Sequence, residues 1–382
     1  MRVLFVHNKY GVRSGEEIML EKIIGLLRSR GHEVDTFFSD SSEVRGTPGK
    51  VRAAFSGLRS GSAIRNIRDQ IGRTKPDLVQ IQNLYPLISP AILPVVRQAG
   101  IPIIMRLSNY RLICPSGLFL SHGRVCESCR GGREWNCVLK NCESDLLKSA
   151  AYATRNAWAR RRGYYSNNVT RYFAQTNFQR EAIVREGYPA SDIDVIPNMV
   201  DVPPVLPRTG PCAYVGFVGR LSSEKGVDTL IEAARTLPYV RFRFAGEPGP
   251  WAQRMDLPPN VELCGRLTGK ELNHFFHNAA FIVVPSLWYE GFPSVMIEAM
   301  SLGRPLIVAG IGGLPEIIGG GKAGLIVPPG DVPKLANAIA TLWNDSERRQ
   351  ILARNGFERV REEYSPDQYY HRLMLTYQKA LA

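Results

Sequence analysis

At 382 residues the chain is too long for one ordinary core, and a length of this order points to two domains of about 180 residues each. Hydrophobic residues at 44% and charged ones at 22% exclude a disordered or fibrous chain, and no apolar run reaches the roughly 18 residues that span a bilayer. The formal net charge of +13 favours polyanionic contacts: nucleic acid, an anionic membrane face or a phosphorylated ligand.

The N-terminus, MRVLFVHNKYGVRSGEE, lacks a signal peptide's apolar stretch and cleavage site and reads as a first buried strand, so a cytoplasmic protein is expected. Val3–Val6 is that strand. Glu16–Arg30 then places Ile18, Leu20, Ile23, Ile24 and Leu27 at helical spacing, closed by Gly31. Further strands are expected at Glu33–Phe38, Asp77–Ile81, Ile101–Leu107 and Arg171–Gln175, with helices between. Short apolar strands alternating with helices imply a parallel sheet covered on both faces. The pattern breaks at IPNMVDVPPVLPRTG, residues 196–210, the best linker in the chain. It restarts with strands at Ala213–Val218, Val240–Ala245, Val261–Cys264, Phe281–Pro285, Pro305–Val308 and Gly324–Val327. Helices are expected at Asp331–Trp343 and Asp367–Leu381.

The fold class is therefore α/β, with two doubly wound Rossmann-like parallel-sheet domains facing across a cleft. The expected boundaries are 1–197 for the first domain, with a Cys-rich insertion at about 111–143, then a linker at 198–211 and a second domain at 212–364. The last helix, 365–382, is expected to pack back on the first domain.

Two stretches of the second half carry charge suited to a phosphorylated ligand. In PSLWYEGFPSVMIEAMSLGRPLIV a strand ends at Pro285, a loop carries Glu290 and Gly291, and Pro293 stands where a helix begins. The N–H groups near Phe292, Pro293, Ser294 and Val295 then form the positive end of a helix, suited to a diphosphate. Glu290 and Glu298 flank it, one for the hydroxyls of a sugar and the other for those of a ribose. In GFVGRLSSEKGVDTLIEAA a strand runs into Gly219. Arg220 and Lys225 follow on the strand-to-helix turn, Arg as a fork and Lys as a point charge for a diphosphate.

These two stretches, with GGLPEII at 312–318 and GLIVPPGD at 324–331, resemble the family 4 retaining glycosyltransferases of the GT-B fold, the group 1 glycosyltransferases. The resemblance runs over nearly the whole chain. It implies a sugar transfer from a nucleotide-diphosphate-sugar (UDP- or GDP-sugar) to an acceptor hydroxyl, in cell-surface polysaccharide or glycolipid biosynthesis. Arg220 and Lys225 would hold the donor phosphates, Glu298 the ribose and Glu290 the sugar. Gly219, Gly291, Phe292, Pro293 and Ser294 would supply backbone around them. No catalytic metal is needed when cations neutralise the departing diphosphate. Asp192-x-Asp194 is read as a turn. The loop NKYGVRSGEE resembles the family's Gly-rich acceptor-side loop with one glycine replaced, leaving Gly15 to let backbone approach the transferred sugar. One departure is plain: Ser108 stands where the family carries a His. Asn109, Tyr110 and Arg111 lie nearby, and His7 and His122 are candidate substitutes.

Five cysteines fall between Cys114 and Cys142. Cys126-x-x-Cys129 has metal-ligand spacing, with Cys114, Cys137 and Cys142 available to complete a thiolate site for structural zinc; an iron–sulfur cluster and free thiols are the alternatives. Family members with this insertion imply Cys114, Cys126, Cys129 and Cys142 as the ligands, with Cys137 spare. Cys212 and Cys264 are expected in strands as core residues. Arg155, Arg160, Arg161, Arg162 and Arg171 crowd a stretch with Tyr152, Trp158, Tyr164 and Tyr165. That mixture suits peripheral attachment to the inner face of an anionic membrane, where a lipid-linked saccharide acceptor would be presented. Two rival functions remain at this level: a nucleotide-sugar epimerase of the same architecture, and a zinc-containing nucleic-acid-binding protein. The second leaves Glu290, Glu298, Arg220 and Lys225 without a purpose, and no nucleic-acid partner is expected.

Overall fold

The computed structural model describes the chain except residues 11–13, 45, 47–48, 50–54, 209, 248 and 250–255. The chain divides into two compact units, Met1–Ser121 with Cys126–Pro197 and Tyr369–Ala382, and Asn198–Gln368 with His122–Val125.

The strands of the first unit are β1 (Arg2–Lys9), β2 (Glu33–Asp40), β3 (Leu78–Asn83) and β4 (Ile103–Arg106), followed after the Cys-rich insertion by β7 (Arg171–Ala174) and β8 (Ile193–Val195). Two short strands, β5 (Leu120–Ser121) and β6 (Arg124–Val125), fall inside that insertion. The six longer-range strands form one parallel sheet in the order β2-β1-β3-β4-β7-β8. Six consecutive residues of β1 and all six of β3 are buried, as a parallel strand covered on both faces requires. On the helix Gly15–Ser29, Met19, Leu20, Ile23, Ile24 and Leu27 are buried, the stripe expected of an amphipathic helix on a sheet. Its start is fixed by Glu17, whose carboxylate accepts from the backbone N–H of Tyr10 at 2.7 Å and of Ser14 at 3.2 Å. The middle of that loop, residues 11–13, lies outside the described residues.

The C-terminal helix Pro366–Leu381 buries Tyr369, Leu373, Thr376 and Tyr377. The Tyr377 hydroxyl donates to the Gln80 amide oxygen on β3, and Thr376 and Lys379 reach Asp194 on β8 at 2.9 and 2.7 Å. Arg171 holds the same carboxylate at 3.0 Å. Asp194 is thus a junction of β7, β8 and the last helix. Burial opposes its charge, and Lys379, Thr376 and Arg171 together still hold its carboxyl below the usual range.

The second unit repeats the plan with β9 (Tyr214–Val218), β10 (Phe242–Ala245), β11 (Val261–Gly265), β12 (Ala279–Val284), β13 (Leu306–Ala309) and β14 (Gly324–Val327). These are parallel in the order β11-β10-β9-β12-β13-β14. Alternate residues feed two cores. Ile282 and Val284 join Met296 and Met300 on one face, while Phe281 and Val283 join Leu230 and Ile339 on the other.

Three local differences from the sequence expectation follow. Ile193–Val195 is a sixth strand of the first sheet, three residues being too few to show a period. The polar segment after 344 forms a further helix, Ser346–Glu363, capped by Asp345 accepting from the Arg348 N–H at 2.8 Å. Cys212 precedes β9 at a φ of 52° and is half-buried at the rim of the core, not inside it. Cys264 lies in β11, also half-buried.

Candidate active site

In an open parallel sheet a ligand sits beyond the carboxyl ends of the strands, where the strand order reverses. That point lies between β1 and β3 in the first unit and between β9 and β12 in the second. Each carries a cluster of polar side chains.

In the second unit β9 ends at Val218, and Gly219 continues with its N–H bonded to the Ala245 carbonyl at 2.9 Å. A short turn, Ser223–Lys225, leads through Gly226 into the helix Val227–Arg235. From the neighbouring β12 the chain runs through Pro285 and Ser286 to Glu290. Lys225 Nζ meets Glu290 Oε1 at 2.6 Å. Ser286 Oγ donates to the same oxygen at 2.7 Å and Trp288 Nε1 at 3.1 Å. Glu290 is only 5% exposed. Lys225 Nζ also lies 5.6 Å from the centre of the Trp288 ring, within cation–π range. Two sequence-predicted residues from different stretches, 65 positions apart, thereby meet in one buried ion pair.

The other predicted residues sit around this pair. Arg220 is exposed and pairs loosely with Glu224 at 3.3 Å, its guanidinium open to solvent. Gly291 is half-buried, and Phe292 is buried against Tyr364 with ring centres 5.6 Å apart. Asn198 donates to the Phe292 carbonyl and to Ser294 Oγ, both at 3.3 Å. The helix Ser294–Ser301 has Pro293 as its N-cap and not as its first residue, one position later than the sequence reading. The first-turn N–H groups thus begin at Ser294. Glu298 is half-buried on this helix, and its carbonyl accepts from Ser301 Oγ at 2.8 Å.

In the first unit the predicted Gly15 opens the helix Gly15–Ser29, is exposed, and a side chain there would meet nothing within 4 Å. Ser108, at the place of the family His, donates to Glu16 Oε1 at 2.9 Å, and the Tyr10 hydroxyl donates to Glu16 Oε2 at 3.1 Å. Arg111 Nη1 donates to Asn83 Oδ1 at 2.9 Å. The sequence reading passed over Tyr10, Glu16 and Asn83. Their signal was position: Tyr10 follows β1 and Asn83 ends β3 at the reversal point, and Glu16 stands in the first turn of the helix after β1.

Of the two histidine candidates, His122 is exposed with a φ of 49°. His7 is fully buried in β1, both ring nitrogens lack a hydrogen-bond partner, and burial, then Arg106 and Lys9, push its pKa down to about 4. His7 is therefore neutral at pH 7. In the unfolded chain it takes a proton near its ordinary value of about 6.5, so the unfolded state binds more protons between those two values. Stability from this group is complete above about pH 6.5 and falls as the pH drops toward 4, by about 3 kcal/mol in all. Denaturant unfolding at pH 7 and pH 5 should show about 2 kcal/mol of that loss, and His7→Gln should flatten it.

The cysteines gather. Cys129, Cys137 and Ala153 form a small buried cluster with Val138 and Cys142 against it. Burial, then the neighbouring Cys114, Cys142 and Cys126, push the Cys129 thiol up to about 12, and burial, Cys142 and Cys129 push Cys137 higher still. Cys137 is therefore not set apart from the others. Among the described residues no three or more His, Cys, Asp or Glu side chains are arranged to hold a metal ion.

The basic aromatic stretch is divided: Trp158, Arg160, Arg161 and Arg162 are exposed, and Tyr152, Tyr164 and Arg171 are half-buried. Arg155 and Tyr165 are buried, and Arg160 pairs with Glu134 at 2.7 Å. Further exposed apolar side chains lie at Trp135, Leu139, Leu146 and Leu147. Among the described residues no helix is long and apolar enough to cross a membrane.

Two family models match the chain: a glycosyl transferase 4-like domain over residues 14–199 and glycosyl transferases group 1 over residues 205–359. A glycogen synthase of Mycobacterium tuberculosis is 35% identical over 168 residues, 41% of this chain and 40% of its own length. The chain thus matches about two-fifths of that relative. An alpha-D-kanosaminyltransferase of Streptomyces kanamyceticus is 27% identical over 74% of this chain and 70% of its own length. Among solved structures, a sucrose-phosphate synthase from Thermosynechococcus elongatus superposes with a TM-score of 0.73 at 17% identity, covering 99% of this chain and 98% of that one. An Anabaena HepE in complex with UDP gives 0.67 at 18% identity, covering 99% and 100%.

Proposed function

The chain belongs to the group 1 glycosyltransferases, and on that premise we propose that it moves a sugar from a nucleotide-diphosphate-sugar to a saccharide hydroxyl with retention and without a catalytic metal. The observation that carries this reading is the buried Lys225–Glu290 pair at the reversal point of the second sheet. A departing nucleoside diphosphate gathers negative charge on its leaving oxygen, and fixed cations aimed there lower the barrier. Lys225 supplies such a cation from a half-sequestered position, and exposed Arg220 is free to swing onto the other phosphate. The N–H groups from Ser294 onward add the positive end of a helix. Glu290, held at one oxygen by Lys225, Ser286 and Trp288, is assigned to a sugar hydroxyl, and Glu298 to the ribose. Gly219, Gly291, Phe292 and Pro293 line the same place with backbone. In the first unit Gly15 leaves open space for the transferred sugar, and the acceptor hydroxyl attacks from the face that the diphosphate leaves, giving it the proton.

A thermal-shift panel of nucleoside diphosphates and nucleotide-sugars tests this, because a ligand of the native state raises Tm by mass action. The UDP and UDP-glucose complexes of HepE make the uridine compounds the first to try. A shift with one base, lost in Lys225→Ala and Glu298→Ala, supports the donor site; no shift with any nucleotide removes the reading.

Two finer proposals concern the insertion and the surroundings. A four-thiolate zinc on Cys114, Cys126, Cys129 and Cys142 is supported by the Cys126-x-x-Cys129 spacing and by the influence of Cys114, Cys142 and Cys126 on the Cys129 thiol; metal analysis giving one equivalent per chain upholds it, and none removes it. A lipid-linked acceptor at the inner membrane face of the cytoplasm would be met by Leu146, Leu147 and Lys148, not by Arg155. Flotation with anionic vesicles, abolished by Leu147→Glu, is the expected result.

A further inference from the structure

The first unit holds a cleft that opens to solvent, with about 330 Å³ of empty space including its open mouth, and none of its lining has yet been given a ligand. Its walls come from the carboxyl ends of β3 and β4: Gln82 and Asn83 with Tyr85, then Arg106, Ser108 and Arg111. That is the carboxyl edge of the sheet, next to the reversal point between β1 and β3, on the side where a ligand is expected.

The cavity is built for negative charge. Arg106 and Arg111 line it, and Arg155 stands behind, its guanidinium 4.3 Å from the Tyr85 ring centre and 3.7 Å from that of Tyr152. The carboxylate facing Arg106 and Arg111 is Glu16, already engaged by Ser108 and Tyr10, and burial favours its neutral form. Arg155 is buried beside Arg111, and burial first, then that second guanidinium, lower its pKa. The groups that offset it are the phenols of Tyr85, Tyr152 and Tyr165; burial raises the pKa of Tyr85 and of Tyr165, which stay uncharged. The Nε atoms of Arg111 and Arg155 are buried without a hydrogen-bond partner. Burial opposes the charge of Arg111, and Tyr10 and Glu16 uphold it, so the three guanidiniums share one facing carboxylate and an anion supplied by a ligand offsets the excess.

We propose that this cavity receives a compact oxyanion, a carboxylate or a phosphate, carried by the acceptor, so that the enzyme extends an acidic saccharide and not a neutral one. The proposal rests on the transferase reading, in which the first unit takes the acceptor. Arg111, whose fork matches both oxyanions, is the recognition residue, and Arg155 raises the local positive potential while bracing Tyr85.

Saturation-transfer NMR on the full chain tests it, with UDP present in excess to fill the donor site and ionic strength held constant. The probes are glucuronate, glucose 6-phosphate and glucose. At least one anion should bind about tenfold tighter than glucose, the factor expected for one charge-assisted hydrogen bond. Glucuronate alone would assign a carboxylate, and glucose 6-phosphate alone a phosphate. Arg111→Gln should bring the anions down to the level of glucose while UDP binding, measured in the same sample, shows that the variant is folded. Arg111→Lys, which keeps the charge and loses the fork, should fall between. Anions that bind no better than glucose, or that bind Arg111→Gln unchanged, overturn the proposal. UDP binding reports the donor site separately: UDP without anion preference sinks this inference alone, and anion preference without UDP binding sinks the transferase reading.

Discussion

Lys225→Ala is expected to lower kcat/KM with a nucleotide-sugar donor by a factor of about 10² to 10³, the loss found when one fixed stabiliser of a developing oxyanion is removed. Two effects add. The ammonium is taken away from a carboxylate that is 5% exposed and 2.6 Å distant, and the leaving diphosphate loses its nearest sequestered cation. The first effect alone should cost the fold about 1–3 kcal/mol, the penalty for stripping a partner from a buried polar group. Glu290→Gln separates the two. It keeps the place of the Ser286 and Trp288 contacts and releases the lysine, so its stability loss should be smaller while its loss of rate persists if the carboxylate holds a sugar hydroxyl. Steady-state rates and denaturant midpoints of both variants give the answer. A Lys225→Ala enzyme within threefold of the parent would remove this residue from the chemistry.

The same pair shows what the sequence discloses and what it leaves out. Strands that are covered on both faces announce themselves as apolar runs, so the β12 run Phe281–Val284 and the β9 run Val215–Val218 are legible from composition alone. The motif spacing then places Lys225 and Glu290 on loops after those strands. Their meeting at 2.6 Å needs one more fact, that β9 and β12 are neighbours, which strand order supplies and sequence does not. In the first unit the balance differs. Glu16 and Arg111 are 95 positions apart, one in the helix after β1 and the other in the loop after β4, so their convergence is visible only in three dimensions. Arg155 misleads for a related reason: a basic residue among aromatics reads as a membrane-facing surface, yet two tyrosine rings and the Pro115 carbonyl, at 3.1 Å, take it inside. The helix Ser346–Glu363 is too densely charged for its narrow buried stripe of Leu352, Ala353, Phe357 and Val360 to stand out.

Gly226→Ala should be among the most damaging single-methyl changes in the chain. Gly226 closes the turn that carries Lys225 and opens the helix Val227–Arg235, with φ at +75°. An L-residue in that conformation costs about 1–2 kcal/mol before any contact is counted. Contact is unavoidable here, since a Cβ would lie 2.0 Å from the Pro285 carbonyl oxygen. Backbone cannot swing aside as a side-chain tip can, so the turn and the loop after β12 must part. Those are the two segments that bring Lys225 and Glu290 together. A total loss of about 3 kcal/mol corresponds to a Tm lower by roughly 6–12 °C for a unit of this size. The rate should fall further than the stability explains, because the ion pair is stretched in the molecules that remain folded. Gly15→Ala is the matched control: its Cβ meets nothing within 4 Å, so stability should stay within about 0.5 kcal/mol of the parent. A rate that drops in Gly15→Ala without a change in Tm then supports the role proposed for Gly15. If Gly226→Ala instead melts with the parent and turns over at the parent rate, the close packing of β9 and β12 is not what holds Lys225 in place.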